Sequence, residues 1–237
     1  MKIRAVLLDM GGVLLDLAES NGLPGGQQDY RGRQVLLQRV GARRLSLDRL
    51  ESLVFEPWRR EYRERYRRGR DPSWKPHLSR LRREAGSRAH DLELLAAWFG
   101  PFADACEAIE GAPEAVRALA GHQLTLGLVS NVPLPGALYR RILVRHELDS
   151  WFDDFRFSYD CGHRKPSPFM LRRALAELGV RASEAIMVGD RRESDVAAGR
   201  AAGVATVWIR SEHRDGPRED WAIDSIAELP GLLEGLR

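Results

Sequence analysis

Past Gly111 the chain alternates at short intervals between runs of branched apolar residues and stretches with helical spacing, a pattern that few folds accommodate. The spacing predicts helices over 113–120 and about 136–146, with strands over 124–129 and near 155–158. A helix over 167–178, a strand over 185–188, a helix over 193–202 and a strand over 204–209 follow. Strands separated by helices of this length need right-handed crossovers, so they form a parallel sheet covered on both faces. The apolar run 3–8 ends at Asp9 and then Gly11-Gly12, and reads as one more strand emptying into a loop. The expected fold class is α/β: a doubly wound, Rossmann-like parallel sheet.

The middle of the chain breaks that rhythm. Residues 20–26, Ser-Asn-Gly-Leu-Pro-Gly-Gly, form a turn-rich linker that suits neither helix nor strand. From Tyr30 to about Ile109 the apolar positions fall at helical spacing, as in Leu36, Leu37 and Val40, then Leu47, Leu50 and Val54. Ser46 is the expected N-cap of the second of these helices. The predicted organisation is an α/β core made of residues 1–19 and 110–237, with an all-helical domain, 20–109, inserted into it.

Composition narrows the function classes. With 43% hydrophobic and 30% charged residues the chain has the balance of a soluble globular protein. The apolar stretch 5–18 is broken by Asp9 and Asp16, so neither a membrane span nor a signal segment is expected. Two cysteines, Cys106 and Cys161, are too few for a disulfide framework, which points to a reducing cytoplasm. A net charge of +3 favours acidic small molecules but is modest for a nucleic-acid binder. The run 58–70 holds seven arginines among Trp58, Tyr62 and Tyr66. Its expected form is a buried aromatic stripe with a solvated basic face rather than an RNA grip, with some arginines free to face a substrate.

In doubly wound sheets ligands bind beyond the carboxyl ends of strands, so polar residues just after strands are the ones to examine. Four places qualify: Asp9-Met10-Gly11-Gly12, Ser130-Asn131, Lys165-Pro166 and Gly189-Asp190. Phosphoryl transfer needs an in-line nucleophile, charge neutralisation and positioning, and these residue types supply each. Asp9 is the candidate nucleophile. Asp9 and Asp190, with a backbone carbonyl and waters, suit the oxygen-rich octahedral demands of Mg²⁺. Lys165 offers a positive point charge, and the Ser130 hydroxyl with neighbouring backbone N–H groups can take the remaining phosphoryl oxygens.

The order and spacing of these segments resemble the haloacid dehalogenase-like hydrolases across nearly the whole chain. The Asp9 segment resembles the nucleophile motif of that family, and Leu128-Val129-Ser130-Asn131 the second motif, whose hydroxyl holds phosphate. Lys165, in Arg164-Lys165-Pro166-Ser167-Pro168, is similar to the lysine of the third motif. Gly189-Asp190-Arg191-Arg192-Glu193-Ser194-Asp195 resembles the acidic fourth motif. The resemblance implies catalytic roles for Asp9, Ser130 and Lys165. It implies substrate contacts from Gly12, Ser130, Asn131 and Lys165, and a Mg²⁺ site built from Asp9, the Gly11 carbonyl, Asp190 and Asp195. The helical insertion is similar to the cap that closes over substrate in this family. The implied activity is hydrolysis of a small phosphorylated metabolite through an aspartyl-phosphate.

One position departs from that pattern. Phosphatases of the family usually carry a second aspartate two residues after the nucleophile, as general acid and base; here the residue is Gly11. General acid–base catalysis contributes ~10²–10⁴-fold, so a slower enzyme biased to good leaving groups, such as sugar 1-phosphates, is expected. His163, two residues before Lys165, and Asp16, in the loop after the first strand, are the candidates to replace it. Two rivals stand beside this reading: metal-independent 2-haloacid dehalogenation by the same aspartate, and a non-catalytic phosphate-binding protein.

Overall fold

In the computed structural model, which describes residues 2–17, 22–41 and 45–236, six strands form one parallel sheet in the order β3-β2-β1-β4-β5-β6. They are β1 (Ala5–Leu8), β2 (Thr125–Ser130), β3 (Asp154–Phe157), β4 (Ala185–Gly189), β5 (Ala205–Ile209) and β6 (Trp221–Ile223). Between β1 and β2 lie α1 (Gly26–Val40), α2 (Leu47–Leu50), α3 (Glu56–Tyr66), α4 (Lys75–Ala85), α5 (Asp91–Ala105) and α6 (Ala112–Gly121). α7 (Gly136–Arg145) leads to β3, α8 (Ser158–Cys161) and α9 (Phe169–Glu177) to β4, and α10 (Ala197–Ala202) to β5; α11 (Leu229–Gly235) follows β6.

β1 is buried along its whole length and alternates between two cores. Ala5 and Leu7 pack with Met170, Leu171 and Ala174 of α9 and Ala198 of α10. Val6 and Leu8 pack with Val116 and Leu119 of α6 and Ile142 of α7. A strand covered on both faces has no place for polar alternation, which explains its unbroken apolar run. From β1 the chain builds outward through β2 and β3, then returns to place β4 on the other side of β1. That reversal opens a crevice at the carboxyl ends of β1 and β4.

The inserted segment is helical as expected, and Ser46 Oγ accepts from the Arg49 N–H at 3.1 Å as the predicted N-cap. Its centre is aromatic: Trp58 stacks on Trp74 with ring centroids 4.1 Å apart, and Phe55 and Trp98 close the group at 4.8 Å. The two connections between insertion and core run antiparallel, with Asp16 N–H bonded to the Glu107 carbonyl and Ile109 N–H to that of Leu14, each at 2.9 Å. The expected boundary at residues 19–20, with Ser20 and Asn21 of the linker, lies outside the described residues. Three elements depart from the sequence reading. The helix predicted over 193–202 divides into a π-helical turn, Arg192–Val196, and α10; β6 and α11 had no counterpart in the predicted pattern.

Candidate active site

The crevice at the end of β1 and β4 collects most of the predicted residues. Asp9 follows β1 directly, tied to β4 by its N–H, which donates to the Val188 carbonyl at 3.0 Å. Asp190 follows β4, and Asp195 returns to it from the π-helical turn. Gly189 permits that return, because a Cβ there would lie 2.4 Å from the Asp195 carboxylate. Lys165 Nζ sits between them, 3.0 Å from Asp9 Oδ1 and 2.7 Å from Asp195 Oδ1, and donates to the Val129 carbonyl at 2.6 Å. Met10 N–H also donates to Asp9 Oδ1, at 2.8 Å, so one carboxylate oxygen is held while Oδ2 has no partner among the described residues.

Two of the three carboxylates, Asp9 and Asp195, thus share one ammonium, while Asp190 Oδ2 lies 4.0 Å from the Arg191 guanidinium. Carboxylate oxygens of Asp9, Asp190 and Asp195 lie within 4.8 Å of one another. Burial, then the neighbouring Asp195 and Asp9 charges, push the Asp190 carboxyl up to about 8. Burial and Asp9 also hold Asp195 above the ordinary carboxylate range, against the pull of Lys165. Burial alone would lower Lys165, but Asp195 and Asp9 raise it, so the ammonium stays charged. Asp190 Oδ1 is buried without a hydrogen-bond partner among the described residues. An excess of buried negative charge with an orphaned hard oxygen fits a divalent cation with oxygen ligands, which tests the Mg²⁺ expectation against the donors present.

A cavity of about 600 Å³ opens above this cluster, lined on the core side by Asp9, Gly11, Ser130, Asn131, Lys165 and Asp190. Ser130, the last residue of β2, presents a hydroxyl without a protein partner among the described residues. Asn131 lines the cavity, and its side chain clamps the Lys165 backbone, accepting from N–H at 2.8 Å and donating to the carbonyl at 3.0 Å. Gly12 is not part of the lining, and its N–H donates to the Leu15 carbonyl at 3.0 Å, so that amide is not free for phosphate. Asp16 is exposed away from the lining. His163 does border the cavity, with its ring stacked on Phe169 at 4.2 Å.

Comparison with known proteins agrees with the arrangement. A family model described as haloacid dehalogenase-like hydrolase matches residues 3–203. The chain belongs to that family. Among curated haloacid dehalogenase-like relatives, pyrimidine 5'-nucleotidase YjjG of Escherichia coli (strain K12) is 32% identical over 169 residues, covering 70% of this chain and 70% of that protein. Among solved structures, a phosphatase of the family from Thermococcus onnurineus superimposes with a TM-score of 0.62 at 22% identity, over 98% of this chain and 99% of that one. A 2-haloacid dehalogenase from Pseudomonas syringae pv. Tomato DC3000 gives 0.64 at 22% identity, over 99% and 100%. The fold is therefore common to both chemistries, and the choice between them falls to side chains.

Sequence reasoning missed how this haloacid dehalogenase-like chain ties its helical insertion to the loop that carries Lys165. Residues 69–71, just after α3, bond to the segment carrying Lys165. Arg164 N–H donates to the Gly69 carbonyl at 3.1 Å, and Arg70 Nη1 to the Gly162 carbonyl at 2.8 Å. The buried Asp71 carboxylate takes the Arg164 guanidinium on one oxygen and Ser158 Oγ, at 2.6 Å, on the other. The available signal was the single acid that closes the arginine run, at Arg70-Asp71-Pro72.

Proposed function

We propose that this enzyme hydrolyses small phosphate monoesters through a phosphorylated Asp9, with Mg²⁺ as its cofactor. The observation that carries the reading is the packing of the Asp9, Asp190 and Asp195 carboxylates within 4.8 Å of one another, with Lys165 between Asp9 and Asp195 and with Asp190 Oδ1 buried and unpartnered among the described residues. Asp9, Asp190 and the Gly11 carbonyl would hold the ion, with Asp195 supporting the site. When bound, Mg²⁺ supplies the positive charge that phosphoryl oxygens demand.

The chain's own residues account for the rest. Asp9 Oδ1 is fixed by Lys165 and Met10, which leaves Oδ2 to attack phosphorus. The new P–O bond to Asp9 forms as the bond to the ester oxygen breaks. That oxygen takes its proton from solvent, since Gly11 offers no acid. The Ser130 hydroxyl binds a phosphoryl oxygen beside the Lys165 charge, and water then attacks the phosphorylated aspartate, releasing phosphate and restoring the carboxylate. Without an acid at position 11 the reaction favours alcohols that leave unaided, sugar 1-phosphates among them. Similarity to a 5'-nucleotidase supports a phosphorylated small molecule as substrate. The three acids argue against metal-free dehalogenation, because a lone displacing carboxylate gains nothing from two further anions beside it. Free thiols at Cys106 and Cys161 fit a reducing, cytoplasmic setting.

The test is phosphate release by purified protein with Mg²⁺ from a panel of phosphorylated metabolites and p-nitrophenyl phosphate. Asp9→Asn is expected to stop turnover, and undiminished release by that variant overturns the mechanism. Phosphate binding with no hydrolysis by the native chain points instead to a non-catalytic binding protein.

A further inference from the structure

The arginine run divides into two populations. Within α3, Arg59 pairs with Glu51 and Arg65 with Glu61, as on any solvated helix face. Beyond the end of α3, Arg67, Arg68 and Arg70 line the same cavity as Asp9 and Lys165. Arg67 and Arg68 are exposed and form no ion pair among the described residues, while Arg70 bonds only to the Gly162 carbonyl. The arginines and the lysine on the core side already stand beside acids: Lys165 by Asp9 and Asp195, Arg164 by Asp71, and Arg191 by Asp190 at 4.0 Å. Glu193 is the one lining carboxylate besides Asp9 and Asp190 among the described residues. The cap side of the cavity therefore carries positive charge that no acid among the described residues pairs with.

Those arginines are also held in place. The bonds from Gly69, Arg70 and Asp71 fasten their loop to residues 158–164, and Arg164 lies 4.6 Å from the centre of the Tyr66 ring. Arg67 and Arg68 thus stand at a fixed remove from Lys165, the residue next to Arg164. A cavity of about 600 Å³ is ample for a small molecule that reaches from the phosphate end to the cap. Guanidinium groups match the planar or tetrahedral oxygens of carboxylate and phosphate with paired hydrogen bonds.

We infer that Arg67, Arg68 and Arg70 bind a second anionic group of the substrate, so that the preferred substrates are phosphate monoesters carrying a carboxylate or another phosphate away from the bond that breaks. The inference rests on the phosphatase reading of the Asp9 site. It goes beyond that reading by assigning specificity to charge on the cap.

Matched substrates test it. The 3-phosphoglycerate and glycerol 3-phosphate pair differs only in a carboxylate replacing a hydroxymethyl group; fructose 1,6-bisphosphate and fructose 1-phosphate differ in a second phosphate. The native enzyme is expected to show kcat/KM at least ~10-fold higher for the second-anion member of one or both pairs, and which pair responds tells carboxylate from phosphate. In the Arg67→Ala, Arg68→Ala double variant, which leaves the Arg70 tie intact, that ratio is expected to fall toward one. Equal kcat/KM across both pairs, with p-nitrophenyl phosphate still hydrolysed, overturns the inference and leaves the phosphatase reading standing. A preference that survives the double substitution overturns the assignment to these arginines. If no substrate is turned over, the phosphatase reading fails, and calorimetric binding of the same pairs to the native and double-variant chains decides. Tighter binding of the second-anion member, lost in the variant, sustains the site, and equal binding removes it.

Discussion

Gly12 and Asp190 touch so closely that a Cβ on Gly12 would lie 2.5 Å from Asp190 Oδ2. Gly12 also has φ of +72°, a left-handed conformation that costs an L-residue about 1 kcal/mol. Gly12→Ala must therefore displace the Asp190 carboxylate from the acidic cluster. The expected outcome is at least a ~10-fold loss of Mg²⁺-dependent phosphate release, with a fall of a few degrees in Tm. Gly11→Ala is the control, since among the described residues a Cβ there meets only Leu17, at an ordinary 3.4 Å. Comparable losses in both variants, measured side by side, contradict the Asp190 explanation.

The second prediction concerns the charge imbalance at Asp190, whose buried carboxyl is pushed up to about 8 by burial and by Asp195 and Asp9. A cation that binds only the folded chain stabilises it by ~2.7 kcal/mol at a hundredfold excess over Kd. For a protein of this size that is roughly 5–10 °C in Tm. Mg²⁺ is expected to raise Tm on that scale and a chelator to reverse it. Asp190→Asn, which relieves the repulsion, should raise the metal-free Tm and abolish the Mg²⁺ shift. A full shift in the variant, read by thermal melting, would place the ion elsewhere.

A third prediction tests the tie between cap and core. Burial pushes the Asp71 carboxyl above its ordinary range despite Arg164 and Ser158, so the ion pair itself adds little net stability. Removing one partner is a different matter, because it strands the other charge in a buried site at a cost of ~3–5 kcal/mol. Asp71→Ala should therefore destabilise strongly in urea titration and raise KM, as the loop bearing the cap arginines loosens. Adding Arg164→Met to Asp71→Ala removes the stranded charge and should recover much of the loss. Additive losses in the double variant would rule out the coupling.

What the sequence disclosed and withheld follows from how far each contact reaches along the chain. β1, β2, β4 and β5 are buried on both faces, so their apolar runs were visible as strings. β6 has three residues, too few for any pattern. Residues 192–196 were readable as helical, but apolar spacing does not distinguish a π turn from an α turn. Asp9, Ser130 and Asp190 announced themselves by standing at strand ends, and Lys165 by preceding the helix that leads into β4. Asn131 and Asp71 did not announce their work: one grips a backbone 34 residues away, the other a guanidinium 93 residues away. Only the fold brings those partners together.

Position 11 gives the last prediction. The family's usual acid is absent, yet the site has room for it: Gly11 lines the cavity, its φ is not left-handed, and a Cβ would meet Leu17 Cβ at 3.4 Å and Cδ1 at 3.8 Å. Gly11→Asp is therefore expected to install a proton donor without moving the backbone. The gain must depend on the leaving group. Alkyl phosphates, whose alkoxides need protonation, should be hydrolysed faster by up to ~10²-fold, the low end of what general acid catalysis contributes. p-Nitrophenyl phosphate, whose phenolate leaves unaided, should change little. Plotting log kcat/KM against leaving-group pKa separates the cases: the native enzyme should give a steep slope and the variant a shallow one. Equally shallow slopes would mean that the native chain already has an acid at the leaving oxygen. His163, the histidine at the cavity wall, is then the residue to replace next.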